Sequence, residues 1–228
     1  MTETKLFDDW PDRYDRWFET PIGRLIKAYE CELILELLEP SAGEKILDAG
    51  CGTGVFSRDV MARGVGLVGL ELSLPMLLRA RRNMGDLPFE AMAGDMRHLP
   101  FRDGAFDKAV SITAIEFIRD AKAAIDELFR VTRPGGAIVI ATLNRLSAWA
   151  DRRTAAGKRG HRVFRQVVFR SPQEVRALSG EAAVIKTAVH FRKDADPDRA
   201  RAIEAQGRSK TPDKGAFLAA RWEKSGAR

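Results

Sequence analysis

The sequence predicts an α/β fold, a doubly wound and mainly parallel sheet behind an N-terminal helical extension. Three observations carry this. Apolar runs of strand length alternate with helical patterns between residues 44 and 144. A glycine-dense turn, Gly50-Cys51-Gly52-Thr53-Gly54, joins the first of these runs to the helix after it. Carboxylates stand at the ends of the first three runs: Asp48, Glu71 and Asp95.

In chain order, residues 5–20 mix Phe7, Trp10, Tyr14, Trp17 and Phe18 with acids and arginines. Ile22, Ile26, Tyr29, Leu33 and Leu37 then recur at helical spacing from Pro21, and Pro40 ends the pattern. Ile46 to Asp48 is a buried strand, and the helix after the glycine turn opens near Val55. Val65 to Leu70 is the second strand. Ser73 is placed to cap the next helix, with Pro75 in its first turn and Gly85 past its end. Phe89 to Met92 and Phe106 to Ser111 are the third and fourth strands. Asp120 caps a helix that the turn Pro134-Gly135-Gly136 closes, and Ala137 to Thr142 is the fifth strand.

The last third reads differently. Residues 145–165 are arginine-rich without clear periodicity, and Ser171-Pro172-Gln173-Glu174 is a capping box whose helix Gly180 closes. Ala183 to Phe191 and Ala216 to Arg221 are two late strands around a partly helical excursion. One domain is expected over 1–228: a helical cap (1–43), a core (44–144), and a basic segment with the last strands (145–228).

Composition narrows the function. The 228 residues carry a net charge of +6. Residues 151–228 hold 19 Lys and Arg against 9 Asp and Glu, so the basic character belongs to the C-terminal third. An anionic partner or a solvated arginine-rich surface would both account for it. The start, Met1 to Lys5, lacks an apolar signal region, no apolar run reaches bilayer length, and Cys31 and Cys51 make no disulfide framework. A cytoplasmic enzyme is the expectation.

Ligands of doubly wound sheets lie beyond the carboxyl ends of the strands. The third glycine of the turn comes one residue too early for a dinucleotide fingerprint, Val55 standing in its place. No Lys or Arg lies between Asp48 and Ser57 to meet a polyphosphate, and the ending of a P-loop is absent. Glu71 is placed to accept from a ribose diol and Asp95 from an adenine amino group. Thr113 and Glu116 follow the fourth strand on the substrate side. A short, acidic, glycine-lined site favours a cationic adenosine. Tyr14 and Trp17 are candidates for a flap over it, and simple packing is the other reading of that aromatic cluster. His98, His161 and His190 are isolated, and metal-ligand spacing is absent.

These residues resemble class I S-adenosylmethionine-dependent methyltransferases. Ile46 to Gly54 looks like that family's first motif, Glu71 its ribose-binding acid, and Gly94-Asp95-Met96 its adenine-contacting loop. Phe106 to Val110 and Leu128 to Ile140 are similar to its fourth-strand and fifth-strand motifs. The resemblance covers roughly 44–144 and is nearest the ubiquinone-biosynthesis-like, small-molecule branch. It implies a seven-stranded sheet with an antiparallel last strand. The implied cofactor is S-adenosylmethionine, leaving S-adenosylhomocysteine, held by Asp48, Gly50, Cys51, Gly52, Gly54, Glu71, Leu72, Asp95, Met96 and Thr113.

Methyl transfer from a sulfonium asks mainly for positioning. Glu116 is the best-placed carboxylate for a base, with Tyr14, Trp17 and Glu116 on the acceptor side. A small acceptor is the first expectation. An RNA methyltransferase is the alternative, using Arg152, Arg153, Lys158, Arg159, Arg162 and Arg165 with Phe164 and Phe169. Ser111-Ile112-Thr113-Ala114 is not the pattern expected for methylation of base amino groups. A non-catalytic cofactor-binding protein and a nicotinamide dehydrogenase are further alternatives.

Overall fold

The structure, a computed structural model, describes residues 6–226, so the start Met1 to Lys5 lies outside the described residues. Two helices, α1 (Pro11–Glu19) and α2 (Pro21–Leu38), precede the sheet. Thr20 caps α2, its hydroxyl accepting from the Gly23 N–H at 3.1 Å. Five strands follow: β1 (Lys45–Ala49), β2 (Gly66–Glu71), β3 (Phe89–Ala93), β4 (Phe106–Ile112) and β5 (Thr132–Leu143). Between them run α3 (Ser57–Met61), α4 (Leu74–Met84) and α5 (Ala121–Val131). The chain ends with α6 (Ala148–Lys158), α7 (Pro172–Arg176), β6 (Ala183–Ala188), α8 (Pro197–Lys210) and β7 (Phe217–Glu223).

The sheet has seven strands in the order β3-β2-β1-β4-β5-β7-β6. β1 to β5 pair in parallel, and β7 is antiparallel to both β5 and β6. The antiparallel last strand matches the expectation drawn from the family resemblance. Alternation along β5 divides the core. Val139 and Ala141 face the cluster built with Ile26, Leu33 and Leu37 of α2, whereas Ile138 and Ile140 face Ile125 and Leu128 of α5. The chain reverses its winding between β1 and β4, so the cleft outside their carboxyl ends is the natural ligand position.

Several boundaries differ from the sequence reading. Pro134-Gly135-Gly136 does not end a helix before a separate strand but bulges within β5, where the pairing slips between Phe106 and Lys108. Gly136 permits the bulge because a Cβ there would stand 2.2 Å from the Asp107 carbonyl oxygen. Ser73 occupies the cap position of α4, yet its hydroxyl donates to Asp8 at 2.8 Å instead of capping. Residues 145–165 include α6, whose buried face is only Trp149, Ala150 and Gly157, too short to show as a period. The Ser171–Glu174 capping box forms, but its helix ends at Arg176, well before Gly180. β6 stops at Ala188 because Val189 turns the chain with φ +65°.

Candidate functional site

A cavity of about 810 Å³ opens at the carboxyl ends of the central strands, lined also by residues of α1, α2 and α6. At one end the loop after β1 folds back onto β2, with the Gly50 and Cys51 N–H groups donating to the Leu70 carbonyl at 2.7 and 3.1 Å. Gly50 has φ +81°, and a Cβ there would come within 2.5 Å of the Ala114 Cβ, so this position admits only glycine without rearrangement. The loop thereby passes close under the strand-β4 side of the cleft.

Two carboxylates frame this end. Glu71 Oε2 accepts the Gly52 N–H at 3.0 Å and Oε1 the Ser73 N–H at 2.8 Å. Each oxygen keeps a second lone pair for a ligand hydroxyl. Burial raises the Glu71 carboxyl, and these amide donors oppose the shift. Asp48 is 2 % exposed; its Oδ2 accepts from Ser57 Oγ at 2.6 Å, and its buried Oδ1 has no partner among the described residues. Burial pushes the Asp48 carboxyl up to about 7. An unpartnered buried carboxylate oxygen is costly unless a donor or cation meets it. Asp95 is engaged by the Arg97 guanidinium, which donates to both its oxygens at 2.6–3.1 Å and holds the carboxyl below its ordinary range. Burial, with the Asp48 and Glu71 charges, raises the Cys51 thiol well above its usual value, so it is not a thiolate nucleophile.

The other end is aromatic and cationic. Phe7, Trp10, Tyr14, Trp17, Trp149 and Phe164 share it with Arg13, Arg152, Arg153, Arg159 and Lys193. Thr113, just past the end of β4, is held at φ +48°, a sparsely populated conformation for a non-glycine residue. Burial pushes the Tyr14 phenol well above its ordinary range. Glu116, 1 % exposed, follows on a 3₁₀ turn at Ile115–Phe117. Arg170 clamps that turn, donating to the Ile115 and Ile118 carbonyls at 3.1 Å each, while Thr142 Oγ1 donates to Glu116 Oε2 at 3.1 Å. Burial pushes Glu116 up to about 7.

Of the residues offered for RNA, Arg152, Arg153, Arg159 and Phe164 line the cavity and Lys158, Arg162, Arg165 and Phe169 do not. Every residue singled out for the cofactor or a small acceptor lines it, with one exception. Gly54 does not. It faces α4 instead, where a Cβ would come within 2.5 Å of Met84 Cε, so the third glycine serves loop-to-helix packing. One residue, Glu30, was missed, and Arg153 was offered only within the set for RNA. Glu30 interrupts the apolar stripe of α2 four residues after Ile26, and an acid on an apolar face was the available signal. Arg153 was visible only as one arginine among many. His190 is not isolated: its Nδ1 lies 3.3 Å from Glu204 Oε2. His161 stacks on Phe164, ring centroids 4.2 Å apart, and lines the cavity. No helix among the described residues is long and apolar enough to cross a membrane.

Residues 47–140 match the family described as a methyltransferase domain. A demethylmenaquinone methyltransferase of Beutenbergia cavernae is 35% identical over 136 residues, 60% of this chain and 55% of that protein. A malonyl-acyl-carrier-protein O-methyltransferase of Erwinia pyrifoliae is 40% identical over 130 residues, 53% of this chain and 49% of that protein. The chain thus spans about half the length of the curated relatives it matches. Among solved structures, an S-adenosylmethionine-dependent methyltransferase of Thermotoga maritima aligns over 98% of this chain and 100% of its own, with TM-score 0.74 and 22% identity. Phosphoethanolamine N-methyltransferase 2 of Haemonchus contortus, solved with S-adenosylmethionine, aligns over 99% of this chain and 60% of its own, with TM-score 0.67 and 17% identity. At these identities the structural likeness speaks for the fold.

Proposed function

We propose that this chain, which carries a methyltransferase domain of the class I S-adenosylmethionine-dependent kind over residues 47–140, transfers a methyl group to a small, anionic acceptor. The observation that supports this best is the division of one cavity into an acidic, glycine-lined end and an aromatic, cationic end. The two ends suit two different ligands side by side.

The residues fit the methyl donor. Glu71 offers an acceptor from each carboxylate oxygen, as a ribose diol requires, and the absence of any Lys or Arg between Asp48 and Ser57 leaves no counter-charge for a polyphosphate. The unpartnered Asp48 Oδ1 suits a cationic or hydrogen-bond-donating group. Asp95 is placed for an adenine amino group, with Arg97 fixing the orientation of its carboxylate. When bound, S-adenosylmethionine supplies a methyl group already activated on a sulfonium.

What remains for the protein is alignment and proton management. Tyr14 and Trp17 of α1 cover the cavity and limit water. The strained Thr113 holds the wall between its two ends. Glu116 is buried, raised to about 7 and clamped through Arg170, so it is the carboxylate suited to take a proton from an acceptor that arrives protonated. The curated relatives are named for small or carrier-bound acceptors, which favours neither RNA nor a binding-only role. A cytoplasmic setting accords with this reading.

The test is calorimetric titration with S-adenosylhomocysteine and with NAD, followed by incubation with methyl-labelled S-adenosylmethionine and fractionated small metabolites. Binding of the former alone, and label in an anionic product, is the expected result. Preference for NAD would overturn the reading.

A further inference from the structure

The Arg153 guanidinium lies on the cavity wall between two aromatic rings, 4.9 Å from the Trp149 centroid and 5.8 Å from that of Phe164. Among the described residues it makes no hydrogen bond and no ion pair. Arg153 is half-buried on the cavity wall, and its N–H donors have no protein acceptor among the described residues, a cost that an incoming anion would relieve. The two rings hold the guanidinium plane, leaving its edge for a planar, two-oxygen partner.

Two carboxyl groups share its surroundings. Glu30 comes from α2 and Glu116 from the 3₁₀ turn; both line the cavity, both sense the charge of Arg153, and Glu30 is raised by Glu116. The other groups bearing on the cluster are Tyr14 from α1, Arg170 behind Glu116, and Arg152 and Lys193 beside Arg153. One guanidinium can neutralise one incoming negative charge, and the two acids oppose a second.

We infer that Arg153 is the anchor for the carboxylate of a flat, aromatic acceptor, and that Glu30 takes up a proton as that carboxylate binds, leaving Glu116 free to act as the base. The inference deepens the proposed function and rests on its premise that the acceptor occupies this cavity. Binding neutralises the positive charge that helps Glu30 ionise, so Glu30 binds its proton more tightly in the complex. Glu116 keeps its hydrogen bond from Thr142 and the charge of Arg170. Burial already raises Glu30 to about 8. The linkage therefore works between roughly pH 6 and 9, and affinity for the anion rises as pH falls.

Benzoate, ionised throughout this range, is the probe, with benzylamine as its cationic counterpart, both titrated into the full-length protein. Benzoate is expected to bind at least tenfold more tightly at pH 6 than at pH 9, and benzylamine not to bind. Arg153→Gln should weaken benzoate at least tenfold at pH 6, Arg153→Lys about threefold, and Arg159→Gln, on the exposed rim, less than twofold. Glu30→Gln, a fixed mimic of the protonated acid, should retain binding and flatten the pH dependence. Equal losses in Arg153→Gln and Arg159→Gln would mean diffuse attraction and overturn the inference. So would preference for benzylamine, or pH dependence intact in Glu30→Gln. If Arg153→Gln fails to fold, Arg153→Lys and Glu30→Gln decide. S-adenosylhomocysteine titrated into the same proteins separates the two readings. Its failure to bind wild type counts against methyl transfer, whereas benzoate insensitive to Arg153 in a protein that binds it counts against the anchor alone.

Discussion

Asp15 Oδ1 accepts a hydrogen bond from Thr53 Oγ1 at 2.6 Å, fastening α1 to the glycine loop across 38 residues of sequence. Asn83 completes the latch from α4, donating to Asp15 Oδ2 at 3.2 Å and to the Thr53 carbonyl at 2.9 Å. Arg79, also on α4, pairs with Asp12. The aromatic helix that lines the cavity is thus tied to the backbone that frames its acidic end.

The latch leads to the first prediction. Asp15→Ala removes the acceptor from a buried Thr53 hydroxyl, at a cost of about 1–3 kcal/mol for a charged hydrogen bond. Much of that cost should fall on lid closure. We expect S-adenosylhomocysteine affinity to fall about tenfold, with faster amide hydrogen exchange confined to residues 11–19. Exchange that quickens across the whole sheet would show instead that the contact supports the fold at large.

Glu71→Ala removes a carboxylate that receives two backbone N–H groups and faces the cavity. Affinity for S-adenosylhomocysteine should drop at least tenfold, about 1.4 kcal/mol. Glu71→Gln keeps the length but turns one acceptor into a donor facing an N–H group, so it should recover less than half of the loss. An unchanged dissociation constant in the alanine variant would remove Glu71 from the ligand site.

The buried acids set a pH dependence. Asp48 is raised from 3.8 to about 7, Glu116 from 4.5 to about 7 and Glu30 from 4.5 to about 8, each mainly by burial. The folded protein therefore holds more protons than the unfolded chain between roughly pH 4 and 8. Their stabilising effect is full below the unfolded values and is lost as pH rises through the folded ones. Without ligand, the thermal midpoint should be higher at pH 5.5 than at pH 8. Asp48→Asn, which can still accept from Ser57, should reduce the difference. A midpoint equal at both pH values would show that these groups are ionised in the folded protein.

The sheet and its acidic end were legible because each signal is local. The Asp48-to-Gly54 loop and Glu71 declare themselves by spacing, and β1 to β5 by short, mainly apolar runs between turn residues. The aromatic, cationic end was not, because it is assembled from distant elements. Glu30 meets Arg153 only after α2 and α6 converge on one cavity, and no spacing connects residues so far apart. α6 itself escaped notice because three small or aromatic contacts bury it. Gly54 falls outside the cavity lining for a related reason: sequence shows that a glycine is needed, but not whether a ligand or a neighbouring helix needs it.

The turn at Val189 supports the last prediction. A β-branched residue at φ +65° is unfavourable, and here it lines the cavity. Glu204, 1 % exposed on α8, holds it there by accepting from the Val189 N–H at 3.2 Å and the His190 N–H at 2.6 Å. Burial pushes the Glu204 carboxyl up, but hydrogen bonds from His190 and Arg208 outweigh it and keep the carboxyl below its ordinary range. Glu204→Ala strands two buried N–H groups and should cost about 3 kcal/mol or more, read as a lower denaturation midpoint in urea. Gly207→Ala is the sharper test of the same interface. Alanine in a helix ordinarily gains about 1 kcal/mol over glycine. Here its Cβ would come 2.3 Å from His190 Cβ, a position the backbone fixes, so α8 or the turn must move. Destabilisation by this substitution shows α8 pressed against the Val189–His190 turn, whereas a gain in stability would mean the two are not in contact in solution.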